Sequence, residues 1–403
     1  MEKILAQYRE EVTRELHQIL SFWINHTIDA NHGGFVGRID HQNHVDALAP
    51  KGSVLNSRIL WSFSAACRLT GKKEYLSIAD RAFDYFLENF IDKEYGGVYW
   101  TVDYTGKPLD TKKQIYALSF AVYGLSEYFR VAENEEAKQA AITIYNDIVK
   151  YSYDKNYGGY IEALSREWKE VADLRLSAKD ANEKKSMNTH LHLLEGFASL
   201  YRVWPDAVLK RRVIELITAF TDRIISKQNN HLALFFDEQW NEKPGVISYG
   251  HDIEAAWLVQ EAAELMGNEL LILNVKNNSL LLAEAASKGL DKDGGLWYEY
   301  NPEQHHLVME KHWWPQAEAM VGYLNAWQIA GEEKYLERSL KSWQFIKDFI
   351  IDKNGGEWHW GVKEDYSPMK EQDKVGMWKC PYHNSRACIE VINRTTKILN
   401  AGV

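Results

Sequence analysis

Two kinds of helical pattern alternate along the chain. In the first kind, apolar residues recur every three or four positions between charged ones, as at Tyr75, Ile78 and Ala82. This spacing puts apolar side chains on one face of an amphipathic helix. In the second kind, such as residues 58–69 and 254–265, apolar residues lie on several sides, as in a helix that is packed all round. The pattern predicts alternating outer and inner helices.

A Gly-Gly turn followed by aromatic residues recurs through the chain. The glycine pairs begin at residues 33, 96, 158, 294 and 355, so most neighbouring copies lie 61 to 63 residues apart. The longer interval between 158 and 294 has room for one degenerate copy, which we assign near Asn230. Paired glycines supply the positive φ that tight turns need, and the alternating residues after them predict a short hairpin.

Six such units predict an all-α protein, an (α/α)6 barrel of six outer and six inner helices. The first outer helix is expected at about 3–24 and the last inner helix at about 383–398. We expect one catalytic domain, 1–403, because no linker or change of composition interrupts the repeats. A linear α-solenoid has the same helix pairs and is the alternative. The shared turn at each outer-to-inner junction favours the closed ring.

Composition narrows the possible functions. The formal net charge is −10 and no basic block occurs, so we expect neither a nucleic-acid nor a membrane partner. Three cysteines are too few for a disulfide framework, and the charged N-terminus is unlike a signal peptide, so a cytoplasmic location is expected. Aromatic residues make up 13% of the chain. They either fill a thick core or stack on sugar rings.

In a barrel of this kind, the first residues of the inner helices meet at one mouth. Each repeat contributes a polar or aromatic residue there, whereas the rest of the inner helix is apolar. A single buried histidine is usually structural, but three at equivalent repeat positions beside an arginine indicate a functional site. The candidates are Arg58, Tyr116, Asn188, His192, His251, Glu254, Trp314, Glu318 and His383.

Helical spacing sorts the neighbours of these candidates. Asn188 and His192 are four residues apart and share a helix face, whereas His190 points elsewhere and is interpreted as a supporting or packing residue. His251 and Glu254 are three apart, so we expect the carboxylate to orient the ring. Asp252 lies off that face and is interpreted as a simple first-turn acid.

The residue types favour proton transfer on a sugar. Histidine exchanges protons near neutral pH, and arginine can hold the negative charge of an enediolate. No zinc-type ligand spacing and no nucleotide-binding motif occurs, so we expect no metal and no organic cofactor. The His305-His306 pair is expected to be solvated. Glu254 and Glu318 could instead be the carboxylate pair of a glycoside hydrolase, which remains an alternative.

Five sequence blocks resemble the cellobiose 2-epimerases of the N-acylglucosamine 2-epimerase superfamily. They are NSRILW (56–61), MNTHLHLLE (187–195), SYGHDIEAAW (248–257), HWWPQAEA (312–319) and MWKCPYHNSR (377–386). The resemblance covers about residues 1–398. It implies the same barrel and a cofactor-free exchange of glucose and mannose at the reducing end of β-1,4-linked disaccharides such as cellobiose, lactose or mannobiose.

The resemblance also implies a role for each site residue. His251 and His383 would be the acid/base pair, His192 would assist ring opening, and Arg58 would hold the enediolate. The substrate-binding residues implied are Tyr116, Asn188, Glu254, Trp314, Trp378 and Asp180, the tryptophans by stacking and Asp180 at the outer sugar. Cys380 and Cys388, which flank His383, are expected to be packing residues.

Several alternatives stay open at this point. Residues 166–186 and 291–311 contain no motif that aligns, and we expect them to shape the outer-sugar subsite. A free monosaccharide such as mannose is therefore an alternative substrate, and an aldose–ketose isomerase is an alternative activity. A non-catalytic sugar-binding barrel would not need the histidines and Arg58 together. Either two bases act at C2, or one acts after the sugar rotates. We expect a monomer.

Overall fold

The structure, a computed structural model, describes residues 1–401 and is mainly helical. The helices of this range are α1 (Glu2–His26), α2 (Ser53–Thr70), α3 (Lys73–Asn89), α4 (Ile115–Ala132), α5 (Glu135–Tyr151), α6 (Met187–Val203), α7 (Ala207–Ala219), α8 (Tyr249–Met266), α9 (Glu269–Ala286), α10 (Trp313–Ala330), α11 (Glu333–Phe345) and α12 (Tyr382–Ala401). Helices α7 and α11 each continue into a π-helical turn, Phe220–Ile224 and Ile346–Ile350, and α9 continues into a 3-10 turn, Ser287–Gly289.

Short strands lie at one end of the helices. The strands are β1 (Lys51–Gly52), β2 (Thr101–Val102), β3 (Pro108–Asp110), β4 (Lys113–Gln114), β5 (Ala163–Leu164), β6 (Lys185–Ser186), β7 (Phe235–Phe236), β8 (Ile247–Ser248), β9 (Glu299–Asn301), β10 (His306–Val308), β11 (Lys311–His312) and β12 (Gly361–Val362). They pair antiparallel as the sheets β1-β2-β3, β4-β5, β6-β7, β8-β9-β10 and β11-β12.

The even-numbered helices form a closed inner ring. Each packs on the next, from α2 to α12, and α12 packs back on α2. The odd-numbered helices lie outside, α3 to α11 each against the preceding inner helix and α1 against α12. The (α/α)6 barrel is confirmed, and the linear solenoid is wrong because its two ends would not meet. None of the helices within residues 1–401 is both long and apolar enough to cross a membrane.

Burial follows the two sequence patterns. Every residue of α4 from 115 to 128 is buried, whereas α3 buries one face that includes Tyr75, Ile78 and Ala82. Glycines let the inner helices approach one another closely. A Cβ on Gly124 would lie 2.6 Å from the carbonyl oxygen of Ser57 on α2. A larger residue there would push α4 away from α2.

The repeated turns have a common backbone. Asn230 has φ 62° and takes the place of a glycine, which confirms the degenerate sixth copy. In the last turn, Gly356 and Glu357 have positive φ, so this turn lies one residue later than the pair predicted at Gly355. The six turns are closed by the antiparallel bridges Ile28–Phe35, Ile91–Val98, Tyr153–Tyr160, Ile225–Leu232, Leu290–Leu296 and Ile351–Trp358.

Buried lysines tie most inner helices to these turns. Each lysine lies in the strand that precedes an inner helix, and its Nζ donates to the aspartate that opens the preceding Gly-Gly turn. Since burying an ion pair is costly in itself, we interpret these pairs as fixing the position of each helix start. The Nζ–Oδ2 distances are 2.8 Å for Lys51–Asp29, 2.9 Å for Lys113–Asp92, 2.7 Å for Lys185–Asp154 and 2.8 Å for Lys311–Asp291.

The fourth unit uses a different pair, which corrects our interpretation of Asp252. Ile247 precedes α8 at the place where these four units have lysine. Asp252 is fully buried, and its carboxylate accepts from Nδ1 of His231 at 2.6 Å and from the Leu232 N–H at 2.8 Å. It therefore ties α8 to the turn and is more than a first-turn acid.

Candidate active site

A cavity of about 420 Å³ opens at the end of the barrel where the inner helices begin. This volume lies in the usual range of small-molecule sites. All ten residues that the sequence assigned to catalysis or substrate binding line it: Arg58, Tyr116, Asp180, Asn188, His192, His251, Glu254, Trp314, Trp378 and His383. Their chemical roles stay predictions.

Two of the three histidines are backed by carboxylates. Nδ1 of His192 lies 3.0 Å from Glu195 Oε2, and Nδ1 of His383 lies 2.7 Å from Glu318 Oε1. A carboxylate can only accept a hydrogen bond, so each Nδ1 carries the proton and donates. Nε2 of each ring therefore keeps its lone pair.

His251 is held differently from the other two. Its Nδ1 lies 2.8 Å from the Ser248 hydroxyl, which can donate or accept. The expectation that Glu254 orients this ring is wrong, because the Glu254 carboxylate bonds to Arg386 and lies closer to His383, 3.9 Å from its Nδ1. His251 is thus free to take either neutral tautomer.

The imidazoles are neutral in the free protein. Burial lowers the pKa of His192 to about 4 and the pKa of His251 to about 3. The pKa of His383 is also lowered well below its usual range, by burial and by the nearby charges of Arg58 and Arg386. Neutral rings can accept protons from a substrate.

Arg58 presents a positive charge without a carboxylate partner among the described residues. Its Nη2 donates to the Tyr116 hydroxyl at 2.7 Å, and its guanidinium stacks 4.1 Å from the Phe120 ring centroid. Nε of Arg58 is buried and has no partner within residues 1–401. The group can therefore neutralise an oxyanion that forms in the cavity.

A buried charge cluster lies beneath the histidines. Arg386 donates through Nη1 to Glu195 and through Nη2 to Glu254 at 2.6 Å and to Glu318 at 2.7 Å. The Tyr382 hydroxyl donates to Glu195 at 2.6 Å. Burial raises the pKa of Glu195, but Arg386 and His192 outweigh it and lower that pKa to about 2. Burial and the charge of Glu318 raise the pKa of Glu254 well above its usual range.

The same cluster contains the one group of potential metal ligands found among residues 1–401. Ligand atoms of Glu254, Glu318 and His383 lie within 4.8 Å of one another. The Arg386 guanidinium already donates to both carboxylates. A cation would have to displace it, so these donors are a poor fit for a metal ion.

Aromatic side chains form the walls of the cavity. The Trp314 ring lies 4.6 Å from His251 and 5.7 Å from His383, between centroids. Trp378 lies 6.0 Å from Tyr116 on another part of the wall. Both rings are partly exposed, as a stacking platform for a sugar must be.

The segments that lacked a motif contribute to the rim. Residues 174–177, 179–181 and 183 line the cavity, as do Tyr298 and Glu299. The Asp180 carboxylate accepts from the Ser177 N–H at 2.8 Å and so holds its own loop. His305 and His306 lie outside the cavity and are exposed.

His190 does not reach the cavity, because both of its ring nitrogens are occupied. Nε2 accepts from the Tyr160 N–H at 3.0 Å, and Nδ1 therefore donates to the Ser186 carbonyl at 2.7 Å. The ring joins the start of α6 to a Gly-Gly turn.

Sequence reasoning missed Glu195, Tyr382 and Arg386 as parts of the site. Glu195 could have been found, because it lies three residues after His192 on the same helix. Arg386 is three residues after His383, but its carboxylate partners come from other helices. Trp360 and His312 also line the cavity. Apart from their residue types, nothing in the sequence identified them as site residues.

Comparisons with known proteins show which sequences and structures this chain resembles. The family model of N-acylglucosamine 2-epimerase (GlcNAc 2-epimerase) matches residues 33–387. The chain is 49% identical to a cellobiose 2-epimerase from Bacteroides fragilis over 97% of this chain and 100% of that one. It is 39% identical to a cellobiose 2-epimerase from Dictyoglomus turgidum over 97% and 99%. A solved cellobiose 2-epimerase from Bacillus thermoamylovorans B4167 is similar, with a TM-score of 0.93 and 39% identity over 96% and 100%.

Proposed function

Because the chain belongs to the N-acylglucosamine 2-epimerase family, we propose that it epimerises C2 of the reducing-end glucose or mannose unit of β-1,4-linked disaccharides. Cellobiose, converted to glucosylmannose, is the proposed reference substrate, with lactose and mannobiose as further ones. The observation that carries the proposal is the meeting in one cavity of three neutral imidazoles and Arg58, which pairs with no carboxylate within residues 1–401.

The first step is opening of the pyranose. A base takes the proton of the anomeric hydroxyl, an acid gives a proton to the ring oxygen, and the C1–O5 bond breaks to leave an aldehyde. We assign assistance in this step to His192, whose Nε2 lone pair is fixed by Glu195. The aldehyde then acidifies the C2 proton.

Epimerisation follows by removal and return of that proton. A neutral imidazole takes the C2 proton, the electrons move onto the C1 oxygen, and the resulting enediolate lies beside Arg58. A proton returned to the other face of C2 gives the epimer. We assign this exchange to His251 and His383, which flank the same Trp314 ring.

The remaining lining residues suit a two-ring substrate. Trp314 and Trp378 lie on separate parts of the wall and could each stack on one sugar. Tyr116 and Asn188 would bond to hydroxyls of the reacting sugar, as would Glu254, and Asp180 on the rim would bond to the outer sugar. A monomeric, cytoplasmic enzyme without a cofactor remains our expectation from the sequence.

Two alternatives keep the same barrel. A monosaccharide 2-epimerase or aldose–ketose isomerase would use the same histidines and differ in what the rim accepts. Hydrolysis is disfavoured, because Glu254 and Glu318 are bound side by side to Arg386. An inverting or retaining hydrolase needs carboxyl groups on opposite sides of the scissile bond.

The proposal is tested by incubating cellobiose with the enzyme in heavy water. We expect the mannose-ended epimer with deuterium at C2, because an imidazole that has taken the proton exchanges it with solvent. Nuclear magnetic resonance reports the position of the label. An unlabelled epimer would contradict the mechanism, released glucose would indicate a hydrolase, and a ketose alone an isomerase. Faster use of free mannose, in a parallel reaction, would contradict the disaccharide assignment.

A further inference from the structure

A second cavity, of about 460 Å³, lies on the outside of the barrel. It is bounded by helix α7 and by the turn that contains Gly158 and Gly159, with the rings of Tyr157 and Trp240 in its wall. None of its lining residues borders the first cavity. It is therefore separate from the proposed active site.

The equivalent place one repeat earlier is filled by a carboxylate. There, the Gly97 N–H donates to Asp147 Oδ2 of α5 at 2.9 Å, and a Cβ on Gly96 would lie 2.7 Å from that oxygen. A Cβ on Gly158 would meet nothing within 4 Å. The turn at Gly96 is thus occupied by a carboxylate of the protein itself, whereas the corresponding place at the Gly158 turn is open.

The sequence of α7 explains the open space. Asp147 of α5 and Ala219 of α7 occupy equivalent positions, because each follows two buried residues and one exposed residue of its helix. Alanine carries no oxygen to offer to the turn. Among the described residues, none accepts from the Gly159 N–H.

The charge around the second cavity is positive, although the chain is acidic overall. Lys210 and Arg223 line it and form no ion pair within residues 1–401, and Arg223 lies 5.4 Å from the Trp240 ring centroid. The carboxylate of Glu215, also in the lining, is held by Arg212 at 2.7 Å. Tyr160 also lines the cavity, and its hydroxyl is buried without a partner in the described range.

We propose that this cavity binds the oxyanion of a small molecule, a carboxylate or a phosphate, in the place that Asp147 occupies at the preceding turn. Lys210 and Arg223 supply the counter-charge, and the Gly159 N–H and the Tyr160 hydroxyl supply hydrogen bonds. The cavity is larger than a phosphate ion, and its aromatic wall suits an attached sugar. A sugar phosphate is therefore the ligand class that fits, unlike the neutral sugars proposed for the barrel mouth.

The test is calorimetric titration with glucose 6-phosphate, inorganic phosphate and acetate as probes. The expected result is a saturable site, filled most tightly by glucose 6-phosphate. The Lys210→Ala/Arg223→Ala double variant should weaken binding at least tenfold. Ala219→Asp should abolish it by restoring the built-in carboxylate. Equal affinity for glucose 6-phosphate and inorganic phosphate would contradict the proposal that the aromatic wall binds the sugar.

Lys138→Ala is the matched control, because Lys138 has the place on α5 that Lys210 has on α7, the fourth residue of the helix. It should leave the affinity unchanged. All variants should keep the epimerisation rate within twofold, since none of these residues lines the barrel mouth. Unchanged affinity in both the double variant and Ala219→Asp would overturn the proposed site, whatever the outcome for the epimerase reaction.

Discussion

His383 and His251 border the same Trp314 ring, but the protein holds them in different ways. Nδ1 of His383 is fixed by Glu318 within a charge cluster that Arg386 ties together. Nδ1 of His251 has a neutral partner, the Ser248 hydroxyl. A carboxylate fixes the tautomer and raises the basicity of a ring, whereas a hydroxyl permits either tautomer.

The difference teaches that these histidines are not interchangeable. Because Nδ1 of His383 donates to Glu318, the lone pair on its Nε2 is free to accept a proton. His251 can either accept or donate at its cavity-facing nitrogen without losing its partner. In the reaction that we propose, a proton is taken from one face of C2 and a proton is returned to the other, and the two rings suit these different tasks.

Removing either ring should have the largest effect. We expect His383→Ala and His251→Ala each to lower kcat for cellobiose epimerisation by roughly 10²–10⁴-fold, the usual contribution of a positioned acid or base. Circular dichroism should show unchanged helix content. A variant that kept a tenth of the wild-type rate would contradict the role of that ring.

The carboxylate behind His383 should come next. Glu318→Gln keeps the size of the side chain, but its amide can donate to Nδ1 and so move the ring proton to Nε2. Because Nε2 could then no longer accept a proton, we expect kcat to fall by at most as much as it does when the ring is removed, about 10²–10⁴-fold. Glu127→Gln is the matched control, because Glu127 is a buried, ion-paired glutamate of α4 that does not line the cavity. Equal losses in both variants would mean that Glu318 acts only on folding.

Much of the fold and part of this comparison could be predicted from the sequence. The regular interval between Gly-Gly turns predicted the barrel, and the predicted starts of the inner helices identified the three histidines. The partner of His251 was predicted wrongly, because Glu254 and Ser248 are both three residues away and only packing decides between them. Arg386 meets Glu254 and Glu318 across 132 and 68 residues. Local spacing carries no information about such contacts.

The stability of the protein should depend on pH through His192, the other ring whose Nδ1 donates to a carboxylate. Its pKa of about 4 lies below the unfolded value of about 6.5, so between these values the unfolded chain binds the additional proton. The free energy of unfolding should therefore fall as the pH falls from 6.5 towards 4. His192 contributes up to about 1.4 kcal/mol for each pH unit.

The measurement is chemical denaturation of the wild type and His192→Gln at pH 7 and pH 5. Glutamine does not titrate, so the variant should lose less stability than the wild type over this interval. Equal losses would show that folding does not lower the pKa of His192.

The smallest effect on activity is expected from changing Ser248, the uncharged partner of His251. Ser248→Ala removes one uncharged hydrogen bond from His251, worth about 1 kcal/mol, so kcat/KM should fall about fivefold. Ser248 makes no side-chain hydrogen bond that caps α8, so helix stability should be unaffected. Asn268→Ala is a useful contrast, because the Asn268 side chain does cap α9 and Asn268 does not line the cavity. That variant should lose about 1 kcal/mol of stability and keep its rate. If Ser248→Ala instead lost as much activity as Glu318→Gln, the hydroxyl would be fixing a single tautomer of His251, and the two histidines would be held in equivalent ways after all.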